Sequence, residues 1–137
     1  MIVDSSALLA ILFDEPDAER YAQALAHAES IQMSAANWLE TAIRIDHGGS
    51  AIASSALDDF IREANITISP VTAEQVSIAR QAYRAYGKGT GHPAQLNFGD
   101  CFSYALAKST GEALLFKGED FPKTDLKSAL EDRTSAM

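Results

Sequence analysis

Short apolar runs alternate along this chain with longer amphipathic stretches, and that alternation predicts its elements. Met1-Ile2-Val3 reads as a short buried strand, followed by a helix over Ala7–Phe13 with Ser5 or Ser6 as its cap. Asp14-Glu15-Pro16 restarts a helix that runs to about His27. Ile31-Gln32-Met33 is a second short strand, and Ser34 caps a helix from Ala35 to about His47. Gly48-Gly49-Ser50 breaks the pattern before a helix over about Ala51–Glu63 and a strand at Ile66–Ile68. Thr72 with Gln75 forms a capping box for a helix to about Tyr86, and Gly87 to Pro93 is a loop. Asn97 caps a helix from Phe98 to about Ser109, Gly111 stops it, and Ala113–Phe116 is the last strand.

Strands of three to five apolar residues between helices imply βαβ units and a parallel sheet covered on both faces. The expected fold is therefore a three-layer α/β domain with four or five short strands. At 137 residues, without repeats or a long linker, the chain is expected to form one domain over 1–137. In such sheets ligands gather at the carboxyl ends of the strands.

Composition narrows the class only partly. Hydrophobic residues make up 47% of the chain and charged residues 22%, ordinary for a globular protein. Ala7 to Phe13, the longest apolar stretch, is too short to span a membrane. No basic segment precedes that stretch, and the one cysteine, Cys101, has no internal partner; both lead to the expectation of a cytoplasmic protein. The net charge of −8 opposes nucleic-acid binding, which ordinarily relies on a basic surface. An acidic protein acting on nucleic acid needs positive charge from a divalent ion or a local Lys/Arg rim. Charge alone favours a small-molecule enzyme or an interaction module.

The carboxylates change that picture. Asp4 follows the first strand, Glu40 lies in the second turn of the helix after Met33, Asp100 in the first turn of the helix feeding the last strand, and Asp120 in the loop after that strand. Right-handed crossovers bring all four near one sheet edge. Each also has a plain reading. Glu40 falls just beyond an apolar arc of Ala35, Ala36, Trp38, Leu39, Ala42, Ile43 and Ile45, where a solvated flank residue also belongs. Asp100 completes a capping box with Asn97, and Glu119-Asp120 reads equally as a surface charge pair. Together they are harder to dismiss, because like charges about 4 Å apart near a protein surface repel by about 4 kcal/mol unless a cation joins them. Oxygen donors without a usable His or Cys set point to Mg²⁺, with Mn²⁺ as a substitute, and so to metal-assisted phosphodiester hydrolysis.

Other motifs carry less. Gly87-Lys88-Gly89-Thr90 has a phosphate-loop composition, but it follows a helix and no Ser or Thr follows Lys88. His27, His47 and His92 share no ligand spacing, and Cys101 reads as a buried thiol and Trp38 as core. An aspartyl-phosphate phosphatase needs a second Asp where Ser6 stands, and a receiver domain needs paired acids after the first strand.

Four blocks resemble the PIN-domain VapC toxins of bacterial toxin–antitoxin pairs, in order and over nearly the whole chain. They are Ile2-Val3-Asp4-Ser5-Ser6-Ala7-Leu8-Leu9-Ala10, Leu39-Glu40-Thr41-Ala42, Leu96-Asn97-Phe98-Gly99-Asp100-Cys101-Phe102-Ser103-Tyr104-Ala105-Leu106-Ala107, and Leu114-Leu115-Phe116-Lys117-Gly118-Glu119-Asp120-Phe121. The resemblance implies a metal-dependent endoribonuclease silenced by a cognate VapB-type antitoxin. Asp4, Glu40 and Asp100 would be the acidic metal-site residues and Asp120 the fourth, outer acid. Ser6 would orient Asp4 or a metal-bound water. Asp4 and Asp100 would hold Mg²⁺ directly, Glu40 and Asp120 through water or a second ion. Arg44, Lys88, Lys108 and Lys117 are candidates for a rim that guides RNA. Relatives often have Thr or Ser followed by Asn or Asp where this chain has Phe116-Lys117-Gly118, which leaves Glu119 as an alternative to Asp120; Phe121 as an anchor favours Asp120. The resemblance also implies a homodimer, for which Leu8, Leu9, Ile11, Leu12 and Tyr21 are candidate surface residues, although they read equally as core. A catalytically inactive PIN-like interaction module is the rival function.

Overall fold

The structure is a computed structural model, and residues 1–130 are described. Its elements in chain order are β1 (Ile2–Val3), α1 (Ser5–Leu12), α2 (Ala18–His27), β2 (Ile31–Ser34), α3 (Ala35–His47), α4 (Ala51–Glu63), β3 (Ile66–Ser69), α5 (Ala73–Tyr86), α6 (Phe98–Thr110) and β4 (Leu114–Leu115), with a 3₁₀ turn at Phe121–Lys123. The expected three-layer α/β arrangement is present, with four strands among the described residues. All pair in parallel in the order β3-β2-β1-β4. The chain steps outward from β1 to β3 and then returns to the far side of β1. That reversal opens a crevice between the carboxyl ends of β1 and β4, where open α/β sheets bind ligands.

Side-chain alternation in the short strands makes the layers. Val3 and Leu115 face a core shared with α1 to α4, including Leu8, Tyr21, Met33, Ile45 and Leu57. Their neighbours Ile2 and Leu114 face the second core, with Ala79 and Ala82 of α5 and Cys101, Ala105 and Leu106 of α6. Both faces of β1 are thus dry, as a continuous apolar run in a central parallel strand requires.

Capping chemistry sets the helix ends. Ser34, Ser50, Thr72 and Asn97 all accept a backbone N–H at the start of their helices, and Gly111 closes α6 at φ 74°. At α5 only half of the expected box forms, the Thr72 hydroxyl accepting from the Gln75 N–H at 3.1 Å. One expectation is corrected outright. The first helix begins at Ser5, and its cap is Asp4, whose Oδ2 accepts the Ser6 N–H at 3.0 Å. An ionised Asp serves here better than Ser, because the helix start carries partial positive charge.

The phase of α3 is a second correction. Its buried positions are Asn37, Thr41 and Ile45, whereas Leu39 and Ile43 are each 59% exposed. The apolar arc read from the sequence does not face the core alone, because buried hydrogen bonds compete successfully with apolar burial. Leu8 and Tyr21 are core residues and so offer no pairing surface; Leu9, Ile11 and Leu12 pack partly against the same core.

Candidate functional site

The first acid is fixed by its neighbours. Asp4 is 3% exposed, at the carboxyl end of the central strand. Its Oδ2 accepts from the Ser6 N–H and from the Ser6 hydroxyl at 2.6 Å, and its Oδ1 is held by the Ser103 hydroxyl from α6. The Ser6 hydroxyl in turn accepts the Lys117 N–H at 2.9 Å, which ties the segment after β4 to the first turn of α1. Ser6 therefore orients Asp4, one of the two roles expected for it.

Glu40 reaches the same region from α3. Its Oε1 accepts from the Ser5 hydroxyl at 2.7 Å, and its carboxylate sits directly over the Cα of Gly99. A Cβ at residue 99 would lie 2.3 Å from Glu40 Oε2, so only glycine permits this seat in α6. Asp100 follows at once. It forms the expected capping box with Asn97, accepting the Asn97 N–H at 3.0 Å while its own N–H donates to Asn97 Oδ1 at 2.9 Å. The bland and functional readings of Asp100 are thus compatible: the box occupies Oδ2 and leaves Oδ1.

Electrostatics joins the four acids. Burial first, and then the negative charges of Asp4, Asp120 and Glu40, push the Asp100 carboxyl up to about 7 against the pull of the Asn97 N–H. Asp120, exposed at the start of the 3₁₀ turn, is the loop acid whose charge is felt there. Glu119 instead lines a groove of about 610 Å³ with Asp17, Arg20 and Lys117. The cluster is open. Among the described residues, no three His, Cys, Asp or Glu side chains converge tightly enough to enclose an ion by themselves. The four acids expected at the metal site are therefore not gathered into a ready-made set of three or more ligands. This openness suits a strongly hydrated cation: Mg²⁺ keeps several waters and takes only one or two carboxylates directly. Hard oxygen donors and a carboxyl driven toward neutrality by its neighbours fit such an ion; the set does not suit zinc.

Of the four cations expected at the rim, two stand in ion pairs. Lys117 Nζ is engaged by Glu15 at 2.5 Å and Asp17 at 3.1 Å. Lys108 pairs with Asp125 at 2.7 Å and lies eight residues along α6 from Asp100, about 12 Å of helix. Neither ammonium is free to lead RNA toward the acids. The Arg44 guanidinium stands 5.9 Å from the centre of the Phe13 ring. Lys88 lines an apolar groove of about 640 Å³ with Tyr83, Asn97, Phe98 and Phe102, just outside the Asp100 cap. Cys101 is buried, and its thiol is pushed up to about 11 by burial and by Asp100. His27 bonds a carbonyl of its own helix, and His92 accepts a local N–H, as expected of residues outside the site.

Ser5, Asn37, Gly99 and Ser103 were not singled out from the sequence. Only their places invited notice, beside Asp4, Glu40 and Asp100, within one helical turn of an acid.

A family model described as the PIN domain matches residues 1–127. The chain belongs to the PIN-domain VapC family. Ribonuclease VapC28 of Mycobacterium tuberculosis is 52% identical over 133 residues, covering 97% of this chain and 100% of the relative. Ribonuclease VapC30 of the same species is 50% identical over 127 residues, 92% of this chain and 95% of the relative. Among solved structures, Mycobacterium tuberculosis VapC20, described as a Sarcin-Ricin loop cleaving toxin, superposes with a TM-score of 0.71 at 17% identity, covering 91% of this chain and 95% of that one. A toxin–antitoxin complex from Klebsiella pneumoniae gives 0.66 at 13% identity, covering 88% of each chain. The structural likenesses carry the VapC-type fold; membership rests on the family model and the close relatives.

Proposed function

We propose that this VapC-family chain is a toxin acting as a Mg²⁺-dependent endoribonuclease, with Mn²⁺ able to substitute. The observation that carries the reading is the meeting of three acids at the end of β1, where Ser103 of α6 binds Asp4 and Glu40, held by Ser5, sits over Gly99 beside the half-buried Asp100. Asp4 and Asp100 would hold the ion directly, and Glu40 and Asp120 through water. The ion, when bound, supplies a water of lowered pKa and stabilises charge building on the phosphate. Glu40, fixed by Ser5, orients or deprotonates the attacking water. Ser6 and Ser103 keep the Asp4 carboxylate from rotating.

Magnesium should start RNA cleavage by the purified chain and EDTA should stop it. Asp4→Asn and Asp100→Asn should each abolish it while remaining folded. A folded variant cutting at the wild-type rate overturns the assignment. A wild-type protein that binds RNA or a partner without cutting it in Mg²⁺ leaves the inactive interaction module standing instead.

We also propose a VapB-type antitoxin with a basic segment as partner, a role that the acidic cluster and the net charge of −8 both suit. Among the described residues no helix is long and apolar enough to cross a membrane, which is compatible with the expected action in the cytoplasm. A homodimer remains the expected assembly, with its contact elsewhere than Leu8 and Tyr21. Light scattering on the purified chain measures it.

A further inference from the structure

We infer that Ser103 and Asn37 are positioning residues that set the Asp4 carboxylate for the metal and register α3 against α6; this rests on the metal-site reading above. Both side chains are fully buried. The Ser103 hydroxyl faces two acceptors, Asp4 Oδ1 and Asn37 Oδ1, the latter at 3.0 Å. The Asn37 amide donates to the Gly99 carbonyl at 2.9 Å. The one hydroxyl proton is shared between these acceptors, and a buried run of polar contacts links the end of β1 through α6 to α3 and back to α6. It ends at Gly99, the residue on which Glu40 is seated and which precedes Asp100. Each of the three inner acids touches this line or is one residue from it.

Folding does not call for Ser103. The capping role of Asp4 is met at Oδ2 by Ser6, whereas Ser103 acts on the other oxygen. Two residues further along α6, Ala105 fills a fully buried position without a polar atom. Burying a hydroxyl and a primary amide is costly unless every group is bonded, and here no buried side-chain polar atom among the described residues is left without a partner. What the pair adds is orientation. With both oxygens held, the carboxylate plane of Asp4 cannot turn, and the direction of its remaining lone pairs is set. Groups that orient a metal ligand in this way typically change metal affinity 10–100-fold.

The test is Mn²⁺ binding to the full chain, followed by electron paramagnetic resonance, with thermal melting of the metal-free proteins alongside. Ser103→Ala is expected to melt cooperatively and to bind Mn²⁺ about tenfold more weakly. Ser103→Thr, which keeps the hydroxyl, recovers most of the affinity. In an Asp4→Asn background, Ser103→Ala costs nothing further, because it acts through Asp4. Should Ser103→Ala not fold, Ser103→Cys, a weaker donor of similar size, carries the same expectation. Unchanged Mn²⁺ affinity in a folded variant, or an equal loss without Asp4, overturns the inference while leaving the metal site intact. A wild-type chain that binds no Mn²⁺ overturns the metal reading itself, and the inference with it.

Discussion

Asp100 has two duties that pull on its proton in opposite directions. As a capping residue it favours the anion, but burial and three neighbouring carboxylates favour the acid, and the balance stands at about 7. The unfolded chain releases that proton near the ordinary value of 3.8. Between those values the folded state holds more protons, so this group makes the metal-free protein less stable as pH rises toward 7, with no further loss above it. Asp100→Asn keeps an acceptor for the cap and removes the charge. Melted in EDTA, the variant should show a flatter pH dependence and a higher midpoint than wild type at pH 8. A lower midpoint there would mean that capping outweighs repulsion. At pH 7.5 the neighbouring Cys101 thiol should react with a thiol reagent far more slowly than the unfolded chain does, since it is buried and shifted to about 11.

At the scale of elements, the seat of Glu40 of α3 on α6 depends on the bare Cα of Gly99. In Gly99→Ala the added methyl meets the end of a flexible side chain, so Glu40 moves aside and the helices stay together. The expected outcome is a melting midpoint near wild type with RNA cleavage down by tenfold or more, since a small misplacement of a catalytic group can cost about 10²-fold. Wild-type cleavage would separate Glu40 from the chemistry.

Most helix boundaries were legible because Ser34, Ser50, Thr72 and Asn97 announce themselves as caps, and the strands because Ile, Val and Leu cluster between breakers. Asp4 was legible as a strand-end acid but not as a cap, since a strand-end acid and a helix-start acid look alike in one dimension. Asn37, Thr41 and Ser103 were not legible. Asn37 and Ser103 bond across a separation of 66 residues, while Thr41 bonds the Asn37 carbonyl of its own helix, and helical periodicity cannot reveal a polar residue that belongs inside. The ion pairs of Lys108 with Asp125 and of Lys117 with Glu15 and Asp17 were equally hidden, because they form only in three dimensions.

For the whole molecule, the proposed function would make metal and substrate interdependent through the charge balance. The net charge is −8, and two of the four candidate rim cations are already paired. RNA approaching the crevice meets repulsion until a divalent ion offsets the acids. A cleavage-resistant RNA analogue should therefore bind about tenfold or more tightly in Mg²⁺ than in EDTA, measured by fluorescence anisotropy. Affinity indifferent to EDTA would show that Arg44 and Lys88 suffice. Bound ion should also stabilise the fold by mass action, about 2.7 kcal/mol at a hundredfold excess over Kd.

The two-residue length of β1 has a consequence for how this protein can change over generations. Ile2 and Val3 point into different cores, and the next residue is Asp4. A longer strand could absorb a slip by sacrificing an end; this one has no spare position. A single codon inserted between Val3 and Asp4 would carry the acid past the crevice or exchange the contents of two interiors. Lineages should therefore tolerate altered spacing in the exposed loop at 88–91 and almost none at this junction.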